Sequence, residues 1–222
     1  MNCFSHALPF LDDPVLAVGT CIPDWLAACD RKCRAREKKA ELFADHEDPF
    51  VASIAKGVVR HHRDDYWFHT GTMFQKLNIQ FAVEIREQFE NEQGMRTGFV
   101  GHILIEMYLD AWLHQTYPGK LAAFYETLGQ VDSVKVQNAI NLFATRPTHR
   151  LAPSMLHFIE ERYIFDYADD AGALYRVNRV LDKIGLAPID NRVVPWMASA
   201  RKRVYENISG LLEKYAMELK TD

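Results

Sequence analysis

Long apolar runs are missing from this 222-residue chain. A membrane-spanning helix needs roughly 18–20 consecutive apolar residues. No stretch reaches that length, so no transmembrane segment and no membrane association are expected. Convincing strand alternation is also missing, which argues against a sheet. Charge of one sign is not in excess: 26 Lys and Arg stand against 30 Asp and Glu, for a net charge of -4. That excludes a strong overall pull toward nucleic acid or anionic lipid. Cysteine is scarce and confined to one end, as Cys3, Cys21, Cys29 and Cys33, so disulfides could not staple the rest of the chain. Cys29 and Cys33 have a C-x3-C spacing, but no second Cys or His pair follows to complete a structural zinc site. Reduced, buried thiols in a cytoplasmic protein are expected instead. The opening "MNCFSHALPFLDD" has no basic region, and a histidine and two aspartates break its apolar run. It does not read as a signal peptide. Internal repeats and low-complexity segments are absent.

What the chain does have is apolar content and helical periodicity. At 48% hydrophobic and 12% aromatic it can bury a sizeable core. A short helix is expected over 14–21, capped by Asp12 or Asp13, and a basic helix over 30–44. A long helix should start at Asp48-Pro49 and run through His69. Gly71 and Thr72 mark a turn before an amphipathic helix closed by Gly94, followed by a helix over 96–115. Later helices are expected over 119–128, 132–144, 153–168, 169–184 and 192–219. The fold class is all-α, a compact helical bundle in a single domain over 1–222. Residues 1–115 form its metal-site core, and 116–222 are a helical extension packed on that core.

Two of these helices carry the same arithmetic. "GHILIEMYLDAWLH", residues 101–114, is among the most apolar runs in the chain, yet His102, Glu106, Asp110 and His114 interrupt it every four residues. A helix advances 100° per residue, so four residues drift by only about 40° and make one slanted stripe. In "GVVRHHRDDYWFH", residues 57–69, the set His61, Asp65 and His69 has the same spacing. Facing one another, the two stripes would supply about six N/O donors, enough for one or two divalent cations. A polar stripe is also what a solvated helix face presents. Here it lacks lysine and glutamine, and the second stripe lies beside Tyr66, Trp67 and Phe68, which suggests a partly buried setting. Buried carboxylates without partners cost several kcal/mol each, and they repel one another unless a cation neutralises them. His6 in "CFSHALPF" and Asp24 in "GTCIPDWL" are further donors. Taken singly, His6 also suits a hydrogen-bonded core role, and Asp24 an N-cap.

"MNCFSH" at the start, "GTCIPDW" at 19–25, "GVVRHHRDD" at 57–65 and an acidic-His helix ending "YLDAWL" follow one another in this order. In this the chain resembles the acyl-carrier-protein phosphodiesterase family over roughly its first 115 residues. The shared pattern is Met-Asn-x3-His, then Gly-x4-Asp, then Gly-x3-His-x3-Asp, then an acidic helix. It falls on His6, on Gly19 and Asp24, and on Gly57, His61 and Asp65. The resemblance implies an all-α fold distantly like the HD-domain phosphohydrolases. It also implies a divalent metal, typically manganese, with iron or zinc as alternatives. The implied reaction hydrolyses the phosphodiester that links 4′-phosphopantetheine to holo acyl carrier protein. The chain departs from the family pattern at Asp64, where a hydrophobic residue is usual, at His69, where an aspartate is usual, and at His102 and Glu106, which stand in for aspartates.

On this reading the metal ligands are His6, Asp24, His61, Asp65, His102 and Glu106, with Asp65 central. Asp65, Asp110 and His69 are the catalytic candidates, the last two as ligand-orienting groups or general base. Arg63 could clamp a substrate phosphate, or else pair with Asp64. The basic run "RKCRAREKK" is either a solvated helix face or a docking surface for an acidic protein such as acyl carrier protein. Nucleic acid is not an expected partner, because no aromatic residues interleave the basic ones. Two alternatives stay open: a metal-dependent hydrolase acting on a nucleotide or other small phosphoester, and a non-catalytic helical interaction protein.

Overall fold

A computed structural model of the chain describes residues 1–88 and 96–213. Helix dominates, and no strand occurs among the described residues, as the all-α reading requires. The twelve α-helices among the described residues are α1 (Cys3–Ala7), α2 (Pro14–Cys29), α3 (Glu37–Ala40), α4 (Pro49–Thr70), α5 (Thr72–Gln88), α6 (Thr97–Thr116), α7 (Lys120–Gly129), α8 (Ser133–Asn141), α9 (Leu151–Glu161), α10 (Asp170–Lys183), α11 (Val194–Glu206) and α12 (Ile208–Leu211). None of them is long and apolar enough to cross a membrane. All four cysteines are free thiols.

Local chemistry explains several helix starts. Asp13 accepts the Leu16 amide and Asp48 that of Phe50, while Asp132 accepts those of Val134 and Lys135 and Asp169 that of Gly172. Each satisfies donors that a helix N-terminus leaves open. Gly71 separates α4 from α5 as expected. The expected closure at Gly94 and the end of the last helix lie outside the described residues.

Four expected helices come out differently. Helix α2 runs eight residues past Cys21, with Pro23 inside it. The basic helix over 30–44 shrinks to α3 and a 3-10 turn over Glu41–Phe43. Its first part is held by tertiary bonds instead. Asp30 binds Arg146 at 2.6 Å and Thr148 at 3.0 Å, and the backbone at Lys32 and Arg34 bonds to Thr145. These partners take up groups that a helix would have used internally. The helix over 153–168 breaks at Arg162, which adopts φ 48°, and resumes as a 3-10 segment over Tyr163–Ala168. The helix from 192 is interrupted at Asn207 between α11 and α12.

The chain divides into two compact units, residues 1–66 with 117–162 and residues 67–116 with 163–222. Residues after 116 thus contribute to both. In the first unit α2 packs on α1, α7 and α9. Phe4 meets Phe124 with ring centroids 5.5 Å apart, and Trp25 meets Phe158 at 5.3 Å. Helix α4 crosses α2 backbone to backbone. A methyl group on Gly57 would lie 2.6 Å from Gly19 Cα and from the Leu16 carbonyl oxygen, and one on Gly19 would lie 2.8 Å from the Ile54 carbonyl oxygen. Only glycine at both positions allows this approach. In the second unit α6 is the buried spine, in contact with α5, the 163–168 segment, α10 and α11. Its apolar character on nearly every side follows from being covered on nearly every side. Glu84 of α5 ties in α11 by accepting from Trp196 Nε1 at 2.6 Å and Arg203 Nη2 at 2.6 Å, and it also accepts from Gln80 at 2.9 Å.

Two predictions follow from these contacts. Gly57→Ala overpacks a backbone crossing and should cost roughly 3 kcal/mol, about 6–12 °C in Tm for a chain of this size. Gly98→Ala, where an added methyl group meets nothing within 4 Å, should be neutral or slightly stabilising in the same melt. The second concerns acid. Arg203 above all, then Trp196 and Gln80, hold Glu84 down at about 2 against an ordinary 4.5. A carboxylate lowered by folding stabilises the fold above its unfolded value, and that contribution is lost as pH falls through 4.5 toward 2. Wild type should therefore lose on the order of 2 kcal/mol across that window through this group. Denaturant titrations of Glu84→Gln at pH 5 and pH 3 should show this component gone.

Candidate metal centres

His61 and Asp65 stand one turn apart on α4, and His61 lies one turn beyond the Gly57 crossing. The His61 Nδ1 lies 2.8 Å from the Thr20 carbonyl oxygen. A carbonyl can only accept, so Nδ1 carries the proton and Nε2 is turned inward. There Nε2 sits 3.4 Å from Asp65 Oδ2 and 3.9 Å from Asp24 Oδ1. His6, on α1, has no exposed surface and packs against His61, with ring centroids 4.1 Å apart and the planes tilted by 32°. Its Nε2 is 3.2 Å from Asp65 Oδ1 and 3.1 Å from the Met1 carbonyl oxygen, while its Nδ1 is 3.4 Å from Asp64 Oδ2. His6, His61 and Asp65 each offer one donor atom, all within 4.8 Å of one another.

In the metal-free protein the Asp65 charge is met by cations of the chain itself. Burial alone would raise the Asp65 carboxyl, but the Met1 amino group at 2.6 Å, together with His6 and His61, holds it far below the usual carboxylate range. Burial works against a charge on His6, yet its bonds to Asp64 and Asp65 outweigh that and raise the imidazole to about 9. Positive charge is thus already drawn to Asp65 from several sides. Two imidazoles and one carboxylate, with Asp24 beside them, are donors that suit a divalent ion. An ion entering here would displace the His6 proton, as ligand binding to imidazole generally requires.

A second group lies wholly in the second unit. Glu106 Oε1 is 2.8 Å from His69 Nε2 and 3.2 Å from His102 Nε2. The two rings lie 4.5 Å apart, and Phe74 stands edge-on to both, at 4.8 and 5.0 Å. Burial would raise Glu106, but hydrogen bonds from His102 and His69 help keep it well below its ordinary value. His69, His102 and Glu106 form the other metal-competent triplet among the described residues.

The residues named from the sequence therefore separate into two triplets. His6, His61 and Asp65 come together with Asp24 at their edge. His102 and Glu106 come together with His69, which was expected as a catalytic or orienting group. Asp110, one turn beyond Glu106, is fully buried and joins neither triplet. Asp24 is no N-cap, because α2 continues through it; its Oδ2 lies 3.5 Å from Cys3 Sγ. Arg63 does not pair with Asp64. It is half exposed and binds Glu37 and Glu41 at 3.3 and 3.1 Å. Asp64 instead turns inward, where it binds Arg60 at 2.7 Å and meets His6. That orienting role was not foreseen. The Arg60–Asp64 spacing of four residues, shared with His61–Asp65, was the available signal.

With Asp65 ringed by donors, its negative charge supports the metal-free fold instead of opposing it. Asp65→Asn should accordingly lower the metal-free Tm, by the equivalent of about 2 kcal/mol. Manganese should raise the wild-type midpoint and barely move the mutant's. Equal manganese shifts in both proteins would remove Asp65 from the ligands.

Compared with known proteins, the chain matches no family model, no curated protein and no solved structure.

Proposed function

We propose that the protein is a metal-dependent phosphodiesterase that releases 4′-phosphopantetheine from holo acyl carrier protein. One observation carries the reading. His6, Asp24, His61 and Asp65 come from three separate sequence motifs, and they converge on one point of the first unit. Manganese is the metal of choice, with iron or zinc as alternatives. When bound, the ion supplies Lewis acidity, activating water and stabilising charge on a phosphoryl oxygen.

The chain's own residues have definable parts. His6, His61 and Asp65 hold the ion, with Asp24 the next carboxylate available. The Thr20 carbonyl fixes the ring of His61, and Asp64, itself held by Arg60, orients His6. Asp110 has no exposed surface, which leaves it an orienting role at most. Arg63 would clamp a phosphate only after release from Glu37 and Glu41. Arg31, Lys32, Arg36, Lys38 and Lys39 are exposed, and they complement the acidic surface of acyl carrier protein.

The test is incubation of manganese-loaded protein with holo acyl carrier protein, read by the mass lost from the carrier. Release of phosphopantetheine is expected, and it should fall by about 100-fold or more in Asp65→Asn. Hydrolysis of simple phosphodiesters with the carrier left intact would move the assignment to another phosphoester. Absence of bound metal would leave a helical interaction protein.

A further inference from the structure

We infer that His69, His102 and Glu106, all residues of the second unit, form a second metal site, selective for a borderline divalent transition ion such as zinc or ferrous iron. The proposal does not depend on the phosphodiesterase reading. Three observations carry it.

The first is donor geometry. Both imidazoles aim Nε2 at a single oxygen, Glu106 Oε1, at 2.8 and 3.2 Å. Donors bound to one ion at about 2.0–2.2 Å stand roughly 3–3.5 Å apart; the two nitrogen-to-oxygen distances here match that span, and all three donor atoms lie within 4.8 Å of one another. The second is donor chemistry. Two imidazoles with one carboxylate favour zinc, iron or cobalt over magnesium and calcium, which prefer oxygen. The third is the surroundings. Phe74 meets both imidazoles edge-on, and Phe68 lies 5.5 Å from His69. This apolar wall limits ring rotation on one side. The other side is accessible, since the side chains of His69 and His102 keep 27% and 36% of their surface exposed. Three protein donors and an open face leave room for solvent or a small ligand on the ion, the pattern of reactive rather than purely structural sites.

The alternative is a plain ion pair, in which Glu106 accepts from two histidines and no ion binds. Cobalt(II) separates the two, because histidine coordination gives it visible d–d absorption. The full-length protein, stripped of metal, is titrated with cobalt, and bound ions per chain are counted by elemental analysis. His102→Gln and His69→Gln change partly exposed side chains, and circular dichroism checks that helix content is kept. Wild type is expected to bind two ions. Each histidine variant should lose one ion with its absorption bands, and excess magnesium should not displace cobalt from this site. If His102→Gln loses an ion while Asp65→Asn loses none, the second site stands and the first-cluster reading falls. The inference is overturned if both histidine variants keep the wild-type stoichiometry and spectrum. It is also overturned if wild type binds a single ion that His102→Gln and Asp65→Asn both abolish, or if magnesium competes on equal terms.

Discussion

The backbone contact between Gly19 and Gly57 is the constraint on which the first unit's site depends. Two helices rarely approach so closely, because side chains normally set their separation at 8–10 Å. Here the missing Cβ atoms let α4 lie directly on α2. One residue beyond Gly19, the Thr20 carbonyl is then within 2.8 Å of His61, four residues beyond Gly57. That bond selects the His61 tautomer and turns Nε2 toward Asp65 and Asp24. Spreading the crossing by even a methyl group would loosen this bond first and the donor group with it. The glycines act on the chemistry at a distance of one helical turn.

A common electrostatic logic runs through both triplets. A carboxylate withdrawn from water needs positive or hydrogen-bonding partners, and in each group two imidazoles are among them, joined at Asp65 by the Met1 amino group. Asp65 lies between His6 and His61, and Glu106 between His69 and His102. Protons on the imidazoles and a divalent ion are alternative ways of meeting the same demand. The surrounding residues bias the choice differently. Around His6, the additional carboxylate of Asp64 favours the proton, so an ion must compete for that nitrogen. Around Glu106 it is the ring of Phe74 that stands beside both imidazoles.

Much of this was legible in the sequence, for identifiable reasons. Apolar residues at helical spacing, aspartates before helix starts and Gly71 all act within one or two turns, so α4, α5 and α6 could be read directly. The four-residue spacing of His61, Asp65 and His69, and of His102 and Glu106, also determined that these donors share helix faces, since that follows from helix geometry alone. What only tertiary structure decided was which donors meet. A slanted stripe drifts by about 40° per step, so His61 and Asp65 join His6 while His69 joins His102 and Glu106, and Asp110 drops into the core. The same holds for residues 30–36, whose helix propensity yields to bonds with Thr145, Arg146 and Thr148 more than a hundred positions away. Local spacing sets the direction in which a side chain points. The partner it finds there depends on contacts between segments distant in sequence, which no local pattern encodes.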